Sequence, residues 1–451
     1  MIFEKKLPIL GLLNILFVAY ILSFAVEKLC TVRTSLALIY LPELVFIPLG
    51  LVFLLLTPKI WHNRQAIFSE WLLFDSLVVA YFLIVLMAYI HNPNSNSLSE
   101  LVGCGYMLSF YFIFNLTFRF QNQQVWLEKG IKLFILSGII ASVAAIISYF
   151  LGFMGVEKGV SQTFAYYPLT GGSLRAYGLI RNPIFLANYL ICTLIVFVSY
   201  YFEAIKKLDV RFSLLLLLFI TALILTKTKS ILLAFAIGLY FVTQLWSVKR
   251  TLVKVLLSIS LLSVMAYMVL SHFLIVDMLQ PNLTRKLHAA YYFPQYIWAI
   301  SDRYAIVPTF YYGTKRTALI AFYDFFPFGV GGDNLAGYSR QLVNQGRHFR
   351  AFCCAPHSTF LGALGELGIL GFGLVIALFV KIWRMVSAIE LAQPTIPRLH
   401  LMMKSFIFFL ICEAVTVDLM NVRHFWLILA TISLLFRMFV LQKKSTILTF
   451  E

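Results

Sequence analysis

Uncharged apolar runs of about twenty residues, separated by short basic connections, recur along this sequence and leave it few ways to fold. The stretch 133–151 holds no charged residue. As an α-helix it is long enough to cross the roughly 30 Å hydrocarbon core of a bilayer. A backbone crossing that core must satisfy its own hydrogen bonds, which leaves a helix bundle or a closed barrel. Barrel strands alternate apolar and polar residues, whereas these runs are continuously apolar, so helices are expected. With 61% hydrophobic and 12% charged residues, the composition excludes an ordinary soluble domain.

About twelve spans can be placed, near 7–26, 35–56, 71–90, 100–118, 131–151, 183–202, 212–226, 230–246, 254–273, 358–380, 401–420 and 424–441. Both termini then lie on one side. On that side the connections carry Lys5 and Lys6, Lys59 and Arg64, Arg119, Lys129 and Lys132, and Lys206, Lys207 and Arg211. They continue with Lys249, Arg250 and Lys254, then Lys381, Arg384, Arg398 and Lys404, then Arg437, Lys443 and Lys444. The opposite connection from His91 to Ser99 has no positive charge. The termini are therefore expected in the cytoplasm. The formal charge of +17 follows largely from these flanks and does not call for nucleic acid. The first run lacks a small-residue cleavage site and reads as an anchor. The six cysteines show neither metal spacing nor a disulfide framework.

The expected organisation is spans one to nine within 1–273, with an outer loop at 152–182, a large outer loop at 274–357, and three spans within 358–451. The large loop holds eight Lys or Arg against four acidic residues. Within it, Thr314 to Phe325 reads as a helix burying Ala318, Ile320, Ala321, Phe322 and Phe325 and exposing Lys315, Arg316, Tyr323 and Asp324. Pro327 stops it, and 329–334 follows as a turn. Leu287 to Trp298 is aromatic-rich and suits the membrane interface.

Outer cations break the positive-inside bias: Arg175, Arg181, Lys227, Lys229, Arg316, Arg347, Arg350 and Arg423. Taken singly, each is an ordinary solvated or lipid-facing charge. Gathered round one cavity, they would hold a diphosphate, arginine through bidentate forks and lysine as a point charge. His357, at the mouth of the tenth span, reads either as a helix cap or as a general base titrating near neutrality. Glu366, inside that span, reads first as a structural partner for a cation on a neighbouring helix, since an unpaired carboxylate there is costly. Glu43, Asp75, Glu413 and Asp418 are further intramembrane or near-membrane acids, and Asp418 is placed by sequence to orient Arg423. Such residues also suit a transporter. No phosphate loop, dinucleotide fingerprint or zinc motif occurs.

Three segments carry a resemblance to the O-antigen ligase and O-antigen polymerase superfamily of bacterial envelope glycan assembly. Pro356-His357-Ser358, followed by Leu361, Leu364-Gly365-Glu366-Leu367-Gly368 and Gly371, is similar to the family's histidine motif. Arg316-Thr317-Ala318 followed by Phe325-Phe326-Pro327-Phe328-Gly329-Val330-Gly331 is similar to its arginine helix and glycine turn. Leu225-Thr226-Lys227-Thr228-Lys229-Ser230 stands where the family has a Leu-Thr-x-Ser/Thr-Arg motif. Arg175-Ala176-Tyr177-Gly178 with Asn182-Pro183 is similar more loosely. Two positions depart: Ser358 replaces the usual Asn, and Lys229 an expected Arg.

The resemblance implies an all-α polytopic membrane protein of GT-C type, with about 12 transmembrane helices and one large periplasmic loop region, in the bacterial inner membrane. It implies inverting, metal-independent transfer of a glycan from undecaprenyl diphosphate without cofactor. His357 and Arg316 are then expected to be catalytic. Arg175, Lys229, Arg181 and Arg423 are expected to bind diphosphate, with Lys227, Glu366, Arg347 and Arg350 in support. The acceptor is a lipid A–core sugar for a ligase, the reading favoured by the order of these segments, or a second lipid-linked glycan for a polymerase. A lipid-linked oligosaccharide flippase or other transporter is the rival from another class. It is disfavoured by the long outer loop and by the lack of half-to-half similarity.

Overall fold

The computed structural model describes residues 8–34, 38–62, 64–65, 70–119, 123–155, 162–167, 171–201, 209–229, 274–278, 298–302, 304–347, 357–393 and 397–441, and isolated residues between 232 and 270. The spans expected at 230–246 and 254–273, most of the aromatic segment 287–298, and Arg350 lie outside the described residues.

The described chain is mostly helical. It runs α1 (Pro8–Ser23, continued by a 3-10 turn at Phe24–Leu29), β1 (Thr31–Arg33), β2 (Leu38–Tyr40), α2 (Leu41–Leu54), α3 (Thr57–His62), α4 (Leu73–His91), α5 (Ser95–Arg119) and α6 (Gln123–Phe153). Next come β3 (Gln162–Tyr167), β4 (Gly171–Ala176), α7 (Pro183–Tyr200), α8 (Val210–Thr226), β5 (Leu274–Met278), β6 (Trp298–Ala299) and β7 (Tyr304–Pro308). It ends with α9 (Phe310–Asp324), α10 (Leu335–Asn344), α11 (Thr359–Ala392), α12 (Pro397–Thr416) and α13 (Arg423–Phe436), closed by a π turn at Arg437–Leu441. Among the described residues, eight helices are long and apolar enough to cross a membrane, and α2 and α8 are shorter apolar helices. The chain is a multi-pass membrane protein. Large apolar side chains such as Leu51, Phe150, Leu214 and Trp383 lie more than half exposed on the helix faces. A water-soluble protein does not tolerate such a belt, whereas lipid covers it.

The bundle interior is aromatic. Trp426, Tyr20, Phe110 and Phe197 are fully buried, and Phe197 stacks on Phe212 with ring centroids 4.9 Å apart. A buried ion pair ties the end of α13 to α4 and α5: Arg437 reaches Asp75 at 2.5 Å and Asn115 at 2.9 Å. Asp75 also accepts from Tyr111 at 2.5 Å.

Local sequence explains the helix ends that frame the site. Asn182 accepts from the Ile184 and Phe185 N–H groups, with Pro183 at the first helical position of α7, where its missing N–H costs nothing. Ser358 caps α11 by accepting from the Leu361 N–H, while its hydroxyl donates to the Ala414 carbonyl. Serine and asparagine are equivalent caps, so Ser358 keeps the capping role. Thr309 caps α9 through the Tyr312 N–H, starting that helix several residues before the expected Thr314.

Helix α11 is broken at Gly368, whose φ of 69° and ψ of −160° are open to glycine alone. The break frees the Gly365 and Glu366 carbonyls, which accept from the Val330 and Gly331 N–H groups, each at 2.9 Å. The Ile369 N–H in turn donates to the Pro327 carbonyl at 3.0 Å. The segment 327–331 thus replaces the hydrogen bonds that the kink removes, as backbone buried at such depth requires. Gly365 lets α9 cross closely: a Cβ there would meet Ala318 Cα at 2.9 Å.

Candidate functional site

Helix α9 crosses α11 with Ala318 against Gly365. Residues three and seven positions earlier share that stripe of the helix, so Tyr311 and Lys315 meet His357, two residues before α11. The Tyr311 and His357 rings sit edge to face, with centroids 5.0 Å apart. Lys315 Nζ donates to the His357 main-chain carbonyl at 3.2 Å. That carbonyl is presented by an unusual backbone, since His357 has a φ of 48°. Lys315 is 2% exposed, correcting its expected exposure. The expected apolar pattern began too late on α9 to show that 311, 315 and 318 form one stripe. Lys315 is the site residue that sequence reasoning missed.

Burial, and then the Lys315 charge, push the His357 imidazole down to about 4, so it is neutral at physiological pH. Burial, and then the Lys229 charge, push the Lys315 ammonium down to about 8. Burial does the same to Lys229, also to about 8. Lys229, Lys315 and His357 therefore form one electrostatic group drawn from three distant parts of the chain. Arg316 follows Lys315 on α9 and is half-buried. One residue's rotation of about 100° carries it off the stripe that meets His357.

Lys227 and Lys229 stand at the end of α8. Lys227 has a φ of 46° and closes the helix in the left-handed conformation, with its ammonium 5.6 Å from the Tyr149 ring. Arg175, on β4, donates through Nε to the Thr226 carbonyl at 2.9 Å. A cation at a helix C-terminus complements the unpaired carbonyls there. Arg175 thus ties the β3–β4 hairpin to the lysine turn. The hairpin is antiparallel, with Thr163 opposite Arg175.

The remaining expected cations are answered by carboxylates. Arg423 is 5% exposed and paired with both Glu27 and Glu43, its Nε donating to Glu43 at 2.6 Å. Arg181 faces Glu27 at 3.8 Å and lies over the Tyr40 ring at 4.5 Å. These two arginines form their own ion cluster, in which Arg423 is held by Glu27 and Glu43 and not by Asp418. Asp418 accepts from the Asn421 side chain at 2.8 Å and from the Met420 N–H at 3.2 Å. Arg347 forks onto Asp324 at 2.5 and 3.3 Å, where Tyr338 also donates. Tyr338 thus ties α10, and Arg347 the turn after it, to the end of α9, and the Arg347 hydrogen bond holds the Asp324 carboxyl below its usual range.

Glu366 has no cation partner among the described residues, against expectation. Its carboxylate accepts from the Asp333 N–H and shares a buried neighbourhood with Glu100, Asp418 and Asp333. Burial raises Asp333, and it pushes Asp418 up to about 6. Among the described residues, no group of three or more His, Cys, Asp and Glu side chains is placed to hold a metal ion.

The arrangement at His357 can bind a polyanion and can accept a proton on a neutral imidazole. A search of protein-family models finds no match to this chain, and no curated protein matches it either.

Proposed function

We propose that this protein is a membrane glycosyltransferase of the O-antigen ligase and polymerase kind. On this reading it has about twelve spans, both termini in the cytoplasm, and its long loop on the periplasmic side of a bacterial inner membrane. The observation that carries the reading is the like-charged pair Lys229 and Lys315 beside the neutral His357 imidazole. Two buried ammonium groups, both shifted down by burial and Lys315 also by the Lys229 charge, gain most from a ligand with several negative charges. A diphosphate held at the membrane boundary by its lipid is such a ligand.

In the transfer, the bond from the anomeric carbon to the diphosphate oxygen breaks and a bond from that carbon to the acceptor oxygen forms. Undecaprenyl diphosphate leaves with the electron pair, and Lys229, Lys315 and Arg316 stabilise its growing charge. His357 takes the acceptor hydroxyl proton. A bound diphosphate raises the imidazole's proton affinity, opposing the effect of Lys315. Arg175 holds the lysine turn in place. The order of the segments favours a lipid A–core acceptor, hence ligase over polymerase.

The test is transfer from a lipid-linked glycan by the purified protein in lipid nanodiscs. His357→Ala is expected to abolish it, and undiminished transfer by that variant would remove the histidine from the mechanism. The carboxylates Glu100, Asp333, Glu366 and Asp418 favour a second reading, a proton-coupled transporter. Proton flux into protein-containing liposomes on adding lipid-linked glycan, with no glycosidic product, would support it instead.

A further inference from the structure

The last turns of α9 carry an apolar face that the described residues leave uncovered. Leu319 and Tyr323 lie four residues apart on that face, and Phe326 continues it past the helix end. Tyr323 is 82% exposed and Phe326 66%. Phe328 is more than half exposed as well, and Phe325, expected to be buried, is 41% exposed. An aromatic side chain carries roughly 150–250 Å², so four of them this exposed form a patch of the size that marks an interaction surface. Asp324, about 100° round the helix from Tyr323, is bonded to Arg347 and Tyr338, so the charged side of the helix end is turned away from this face.

The neighbours of the patch decide what covers it. The Pro327 carbonyl accepts from the Ile369 N–H, and the Phe328 ring lies 5.7 Å from that of His91. The strip therefore bridges α11 and α4, both long and apolar enough to cross a membrane. On those two spans the adjoining Ile369, Leu370 and Ile90 are exposed, part of the apolar belt that lipid covers. The patch on α9 thus continues a lipid-facing surface. His91 is the last residue of α4, and the polar Asn92 that follows donates to the Val330 carbonyl at 3.1 Å. The patch accordingly stands level with the end of a span, where aromatic side chains gather between water and hydrocarbon. Residues 319–328 carry a single charge, Asp324, already answered by Arg347, so a charged partner would find nothing there to pair with.

We infer that the end of α9 is a lipid anchor, with Leu319, Tyr323, Phe326 and Phe328 inserted among bilayer lipids at the boundary between water and hydrocarbon. Lys315 stands on the same helix, within roughly 14 Å of Asp324 along its axis, so the anchor sets how far the cationic group lies from the bilayer. The inference goes beyond the glycosyltransferase reading and holds with or without transfer. The test is photocrosslinking of the full chain in liposomes of phosphatidylethanolamine and phosphatidylglycerol. Tyr323 or Phe326 is replaced singly by p-benzoylphenylalanine, which keeps an aromatic ring at the position. The same replacement at Trp383, exposed on α11, gives the lipid-facing reference. Asp302, exposed before β7 at the other end of α9, gives the water-facing one. Mass spectrometry is expected to find lipid adducts at positions 323 and 326 in yields matching Trp383, with few at Asp302. Yields no higher than at Asp302 would overturn the inference. Adducts to this chain or to a second copy in place of lipid would overturn it too, by showing that protein covers the patch.

Discussion

Lys315 reaches the main-chain carbonyl of His357 at 3.2 Å, so the cation beside the imidazole lies on the residue before the arginine that the sequence motif highlights. Replacing Lys315 by methionine keeps much of the buried stem and removes the charge. Glycan transfer is expected to fall by about 100-fold, in line with losing one preorganised donor to a developing anion. Arg316→Ala is expected to cost less. Initial rates with a lipid-linked donor check both, and a larger loss at Arg316 would reverse the order of importance.

The two depressed lysines give anion binding a pH signature. Lys229 and Lys315 are each pushed down to about 8, so both are protonated well below that pH and neutral well above it. Pyrophosphate affinity is therefore expected to hold from pH 6 to 7 and to decline through roughly pH 8 to 9. A bound anion moves the break upward by stabilising the charged forms. Lys315→Met should flatten the profile. Titrations at constant ionic strength read it directly.

Gly368 has a backbone that other residues adopt only under strain, and a Cβ there would lie 2.0 Å from the Pro327 carbonyl oxygen. Gly368→Ala is expected to destabilise the fold by about 3 kcal/mol or more. Gly373→Ala, a site with nothing within 4 Å, should change little. Thermal unfolding in detergent separates the pair.

Arg423 serves as an internal counter-ion. Arg423→Met leaves Glu43 without its cation and Glu27 with Arg181 alone, 3.8 Å away; breaking a buried pair in this way costs about 3–5 kcal/mol. Lower folded yield and a lower melting temperature are expected, with pyrophosphate affinity per folded molecule unchanged. A selective loss of that affinity would return Arg423 to the diphosphate site.

What the sequence made legible follows from range. Uninterrupted apolar runs disclose spanning helices because lipid imposes one simple rule on them, and α4 to α7 fall close to where that rule puts them. The cap of α11 falls one residue from where the sequence suggests it: Ser358 takes that role, not His357. Pairings between distant segments are not legible: Arg423 finds Glu43 and Glu27 some 380 and 396 positions away, and no nearby pattern announces this. Lys315 was missed for a smaller reason. Starting α9 at Thr314 in place of Phe310 dropped Tyr311 from the helix, and with it the stripe that turns Lys315 inward. Lone intramembrane carboxylates are costly, so the sequence suggests a cation beside Glu366, whereas the fold groups it with Glu100, Asp333 and Asp418.

The stitch between Pro327 and Ile369 has a bearing on how the molecule is made. The second half of α11 borrows backbone partners from a strip of chain synthesised earlier, so its bent form cannot be completed by the span alone. The strip 327–331 and the kinked span complete each other's backbone hydrogen bonds, so neither reaches its final form without the other.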